Sequence, residues 1–94
     1  MRAGSAATDR IESEGASLGR ALKIVRIRAG VSQEEAGQRF GISGQGWGQY
    51  ELGCVASIFR PTVQRRLAEA LGVTVADLLA EHRRIVEPSE GAQP

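Results

Sequence analysis

Residues Ser32 to Gly53 read SQEEAGQRFGISGQGWGQYELG, and this stretch decides the fold. Ser32 stands where its hydroxyl can accept a bond from an orphan backbone N–H of a first helical turn. Glu35 follows at the capping-box spacing. Glu34 and Glu35 both suit the positive end of a helix. The spacing predicts a helix that runs to about Phe40 and stops at Gly41, a residue that tolerates the left-handed cap. Ile42 is expected to pack inward and Ser43 to cap a second helix. Trp47 and Tyr50 fall on one apolar face of that helix, and Gly53 closes it. Two short capped helices joined by a tight turn result.

The same reading extends outward. Ser17 is placed to cap an earlier helix in which Leu18, Leu22, Val25 and Ala29 recur at helical spacing, until Gly30 ends the run. Beyond the pair, Pro61 suits the first position of a helix whose buried face is Val63, Leu67, Ala70 and Leu71, with Gly72 after it. Thr74 caps a last helix carrying Val75, Leu78 and Leu79, with Asp77 in its first turn. The expected organisation is an all-α, five-helix domain over residues 17–86. Residues 1–16 are expected as a flexible N-terminal arm, rich in Gly, Ser and Ala, and residues 87–94 as a solvated C-terminal tail.

A chain of 94 residues is near the lower limit for a self-sufficient core. The aromatics are only Phe40, Phe59, Trp47 and Tyr50, so that core must be mostly aliphatic, which suits a helical bundle. Net charge is +1, but its distribution is uneven. Lys and Arg outnumber Asp and Glu between residues 17 and 86, while both flanks are acidic. A modestly basic core fits a nucleic-acid binder. Cys54 is the single cysteine, so neither an intrachain disulfide nor a cysteine-based zinc site is expected. An inert thiol is the plainer reading of it, and a redox sensor the alternative. No apolar run reaches membrane-spanning length and no signal-peptide hydrophobic region is visible, so a cytoplasmic setting is expected. His82 lacks neighbours at ligand spacing and reads as a surface histidine. No nucleophile elbow or phosphate loop is present, so neither enzyme activity nor a cofactor is expected.

The residues Ser32-Gln33-Glu34-Glu35, Phe40-Gly41-Ile42-Ser43 and Tyr50-Glu51-Leu52-Gly53 resemble the phage-repressor and Cro-like (XRE-type) helix-turn-helix family. Leu18-Gly19, Leu22 and Val25-Arg26 resemble its first helix, and Pro61 to Leu79 its fourth and fifth, so the resemblance covers roughly residues 17–81. It implies a lambda-repressor-like fold, duplex DNA as partner, a homodimer, and transcriptional regulation, most commonly repression at a palindromic operator. It also implies that Gln33, at the start of the scaffold helix, faces a phosphate, and that Arg26 pairs with Glu51 to lock two helices together.

With Trp47 and Tyr50 inward, the outward positions of the second helix are Gly44, Gln45, Gly48 and Gln49. Glutamine offers a donor and an acceptor together to the major-groove edge of adenine. The resemblance gives Gln45 and Gln49 the role of base readers; the plainer alternative is two solvated surface residues. Ser43, Arg60 and Arg39 are further phosphate candidates, although capping alone accounts for Ser43. Arg2 and Arg10 are possible minor-groove contacts, opposed by the acids around them.

This chain departs from the family in three places. Glycine stands at 44, 46 and 48, which weakens the second helix by about 1 kcal/mol per interior position and leaves two reading positions bare. Ala36-Gly37 replaces a large apolar residue followed by alanine, and Trp47 is expected to fill that room. The loop from Cys54 to Phe59 is apolar where the family has polar or basic residues. Val55, Ile58 and Phe59 either fold over the core or form a dimer contact, and Leu79, Ile85 and Val86 are alternative dimer contributors. These departures motivate a second reading, a protein-interaction adaptor or antitoxin-like component with little base readout, using the tails or the 54–59 loop. So little chain lies outside the helices that no large effector-sensing domain is expected.

Overall fold

The computed structural model describes the backbone of residues 3–86 and the side chains of residues 14–86. It holds five α-helices: α1 (Ala3–Ala29), α2 (Gln33–Phe40), α3 (Gly44–Glu51), α4 (Pro61–Ala70) and α5 (Val75–Val86). A single 3₁₀ turn, Ala56–Phe59, lies between α3 and α4. No strand occurs among the described residues, so the architecture is all-α, as the sequence leads one to expect. The tail at 87–94 and the side chains of Arg2 and Arg10 lie outside the described residues.

The capping residues do what their chemistry suggests. The Ser32 hydroxyl accepts from the Glu35 N–H, and the Glu35 carboxylate accepts from the Ser32 N–H, each at 3.0 Å. Gly41 closes α2 at φ 101°, donating its N–H to the Gly37 carbonyl. Ser43 accepts from the Gly46 N–H at 3.0 Å, and Thr74 and Asp77 form a reciprocal box at the head of α5. Bonds from the Ser32 backbone N–H and hydroxyl hold the Glu35 carboxyl below the usual carboxylate range. The cap is therefore fully formed above the ordinary pKa of a glutamate. It weakens as pH falls through the depressed value.

One boundary differs. Ser17 does not cap α1, which already starts at Ala3 and runs through it. Nothing upstream breaks a helix, and propagation needs only one bond per added residue. A tertiary contact also sits there: Gly15 is buried, and a Cβ placed on it would lie 3.3 Å from the Gly53 carbonyl. The contact is long-range, so local patterning carried no sign of it.

The core gathers Leu18, Leu22 and Val25 from α1, Ala36 and Phe40 from α2, Trp47 from α3, Leu67 and Ala70 from α4, Leu78 from α5, and Ile58 from the 3₁₀ turn. Trp47 is the largest fully buried side chain, at 0% exposure. Phe40 meets both Trp47 and Tyr50 edge-on, with ring centroids 6.0 and 5.5 Å apart, an arrangement the ring quadrupoles favour. α5 runs antiparallel to α1. Glu81 is buried and accepts from Arg28 at 2.7 Å and Arg84 at 3.1 Å; beyond it, Ile85 lies beside Ser17. His82 is half-buried rather than on the surface, and its Nε2 is enclosed without a partner among the described residues.

Two glycines set how closely the helices approach. A Cβ on Gly37 would lie 2.6 Å from the Ser43 carbonyl oxygen and 2.8 Å from that of Ile42. The room beside Gly37 is thus occupied by backbone of the α2–α3 turn. A Cβ on Gly19 would likewise meet the Tyr50 carbonyl at 2.6 Å, so α1 and the end of α3 touch backbone to backbone.

Glu51 ties these elements together. Its side chain is 3% exposed and pairs with Arg26, which also donates to the Val31 carbonyl at 2.9 Å. Trp47 Nε1–H donates to Glu51 Oε2 at 2.7 Å, and Gln33 Nε2–H to Oε1 at 2.8 Å. One carboxylate therefore bonds residues of α1, α2 and α3.

Removing one partner of a buried ion pair strands the other charge. Arg26→Ala should cost about 3–5 kcal/mol, and Trp47→Ala about 3–5 kcal/mol, each a large share of the stability of an ordinary domain; urea denaturation reads both. The glycines should split. Gly37→Ala forces backbone apart and should destabilise by about 1–3 kcal/mol. Gly48→Ala meets only ordinary contacts, at 3.5 Å and beyond, and should stabilise by up to about 1 kcal/mol.

Candidate nucleic-acid interface

Helix α3 divides into two faces. Trp47 is enclosed, and Tyr50 is half-buried with its hydroxyl 3.1 Å from that of Ser57. On the other side Gln45 and Gln49 are both exposed, four residues apart and so on one face. They open into a groove of about 510 Å³ between α3, α1 and the start of α2. Its walls also carry Arg20, Lys23, Gln33 and Leu52. Two cations thus flank two amides that each present a donor and an acceptor. That combination suits a polyanion with hydrogen-bonding edges.

Arg20 and Lys23 are functional candidates that the sequence reading counted as charge without assigning a role. The available signal was spacing. They lie three apart on α1, off the stripe of Leu18, Leu22 and Val25, and so share one outward face. Which helix that face borders depends on tertiary packing.

The two glycines at expected reading positions have different surroundings. A Cβ on Gly44 would lie 3.0 Å from Glu34 Cα, and one on Gly48 would lie 3.5 Å from the Gln33 amide. Gly44 abuts the backbone of α2, whereas Gly48 lines the groove beside the Gln33 amide. Gly44 is also the first residue of α3, where a glycine costs less than in the interior. Gln33 lies across Gly48 with its amide bonded to Glu51, which fixes its side chain at the groove wall.

Of the phosphate candidates, Ser43 is exposed and its oxygen is used by the cap, while its hydroxyl hydrogen can still be donated. Arg60 is exposed at the head of α4, and among the described residues its guanidinium takes no hydrogen bond. Arg39 is engaged: it donates to the Ala70 carbonyl at 3.0 Å, closing the end of α4. Arg66 does the reverse, donating to the Phe40 carbonyl at 2.9 Å and lying 4.4 Å from the centroid of its ring. These two arginines join α2 to α4.

The apolar loop is divided between the two expectations. Ile58 is in the core, Val55 is half-buried, and Phe59 stays 42% exposed near Gly15. Leu79 and Ile85 pack against the core, leaving Val86 exposed. Cys54 is exposed. Among the described residues no cluster of metal-ligating side chains occurs, and no helix is long and apolar enough to cross a membrane.

The sequence pattern of the helix-turn-helix domain family matches residues 17–81, the span that contains the capped pair, the groove and the packed core. Comparison with curated proteins and with solved structures gave no match. With most of its length matched, the chain belongs to the helix-turn-helix domain family, which points to DNA binding.

Proposed function

We propose that this chain is a transcription regulator of the phage-repressor and Cro-like (XRE) type. It binds duplex DNA as a homodimer on a palindromic operator and represses by occupying a promoter. The observation that carries the reading is the exposed pair Gln45 and Gln49, set in a groove flanked by Arg20 and Lys23. Gln45 and Gln49 read adenine edges. Gln33, Ser43 and Arg60 anchor phosphates, joined by Arg20 and Lys23 from α1. In a two-fold dimer the two α3 helices meet successive major grooves, about 34–36 Å apart. The adaptor or antitoxin-like alternative rests on the glycines at 44, 46 and 48 and on the apolar 54–59 loop, of which Phe59 stays exposed.

Fluorescence anisotropy tests it, using the duplex upstream of the chain's own gene beside a scrambled duplex at two salt concentrations. Tight, salt-sensitive binding to the first and weak binding to the second is expected. Gln45→Ala and Gln49→Ala should each cost about 1–3 kcal/mol on the native duplex and little on the scrambled one. Arg20→Ala and Lys23→Ala should weaken both duplexes alike, each lowering the salt slope by about 1. Equal, weak binding to both duplexes would contradict the proposal and favour the adaptor.

A further inference from the structure

Leu52 is the most exposed large apolar side chain among the described residues, at 67%, and no packing role accounts for it. It follows Glu51 as the cap of α3, in right-handed helical conformation. Its side chain therefore continues the outward stripe of Gln45 and Gln49 at i, i+4 and i+7. It lines the same groove as those two amides and as Arg20 and Lys23.

The surroundings select the occupant. A second copy seated on this groove by two-fold symmetry would bring Arg20 and Lys23 towards their own equivalents, like charge against like. A polyanion meets them with complementary charge. Within the major groove of duplex DNA, the apolar group that a leucine can contact is the C5-methyl of thymine.

We propose that Leu52 reads a thymine methyl group, adding an apolar contact to the two amide contacts of α3. This rests on the DNA-binding function proposed above. The geometry fixes a register as well. Seven residues of helix advance about 10 Å along the axis, which spans about three base pairs of duplex. With α3 lying along the groove, the thymine lies about three base pairs from the base contacted by Gln45.

The test uses a duplex enriched from a randomised library by the wild-type chain. Each thymine is replaced in turn by uracil, which lacks only the methyl group. The proposal expects one uracil position to weaken wild-type binding about three- to fivefold, the value of a buried methyl, and to leave Leu52→Asn unaffected. That position should lie about three base pairs from the one at which Gln45→Ala loses discrimination. A selectively bound duplex that is insensitive to uracil throughout would overturn the role of Leu52 while leaving the DNA-binding function standing. So would a Leu52→Asn chain that keeps the full uracil penalty, or one whose only change by sedimentation is loss of dimer. Enrichment of no duplex would overturn the DNA-binding function itself, and this proposal with it.

Discussion

The Glu51 carboxylate is the point on which the rest of the structure depends. Burying a charge is costly unless it is paired and fully bonded, and here Arg26, Trp47 and Gln33 supply the bonds. Those three residues come from three different helical segments or their starts. Satisfying one carboxylate therefore fixes α1 against α3, orients the indole in the core, and sets the Gln33 side chain at the groove wall. Loss of any one bond would be felt both in the core and at the groove wall.

The hub matters more because α3 is a poor helix on its own. It is eight residues long, and isolated helices of that length are marginal even with favourable composition. Glycine at 46 and 48 lowers its propensity further. What holds it is tertiary: the enclosed Trp47, the edge-on contacts of Phe40, the Ser43 cap and the bonds to Glu51. Gly37 in α2 and Gly44 at the head of α3 let that helix and its turn sit against α2 at backbone distance. Local propensity is exchanged for close approach, and the outward glutamines gain a rigid support that the helix alone would not provide.

The features that were legible in the sequence are those governed by neighbours along the chain. Ser32, Ser43 and Thr74 were recognisable as caps because the groups they satisfy lie within four residues. The inward face of Trp47 and Tyr50 followed from helical period alone. The Arg26–Glu51 pair was accessible only through the family resemblance, and its Trp47 and Gln33 arms were not read at all. The directions of Gly37, Gly44 and Gly48 were not legible, because they depend on which backbone lies opposite in the folded chain. The start of α1 was misplaced for the same reason, since Gly15 finds its partner Gly53 across the fold. Arg20 and Lys23 could be placed on a face but not beside a groove.

Native-state hydrogen exchange on α3 tests the central claim most directly, comparing the wild-type chain with Glu51→Gln. If the carboxylate hub holds α3, amides of residues 44–51 lose protection in the variant by more than those of α1 and α5, as local opening becomes easier than global unfolding. A uniform loss across all helices, or unchanged protection in α3, would contradict the account and leave the helix held by apolar packing alone.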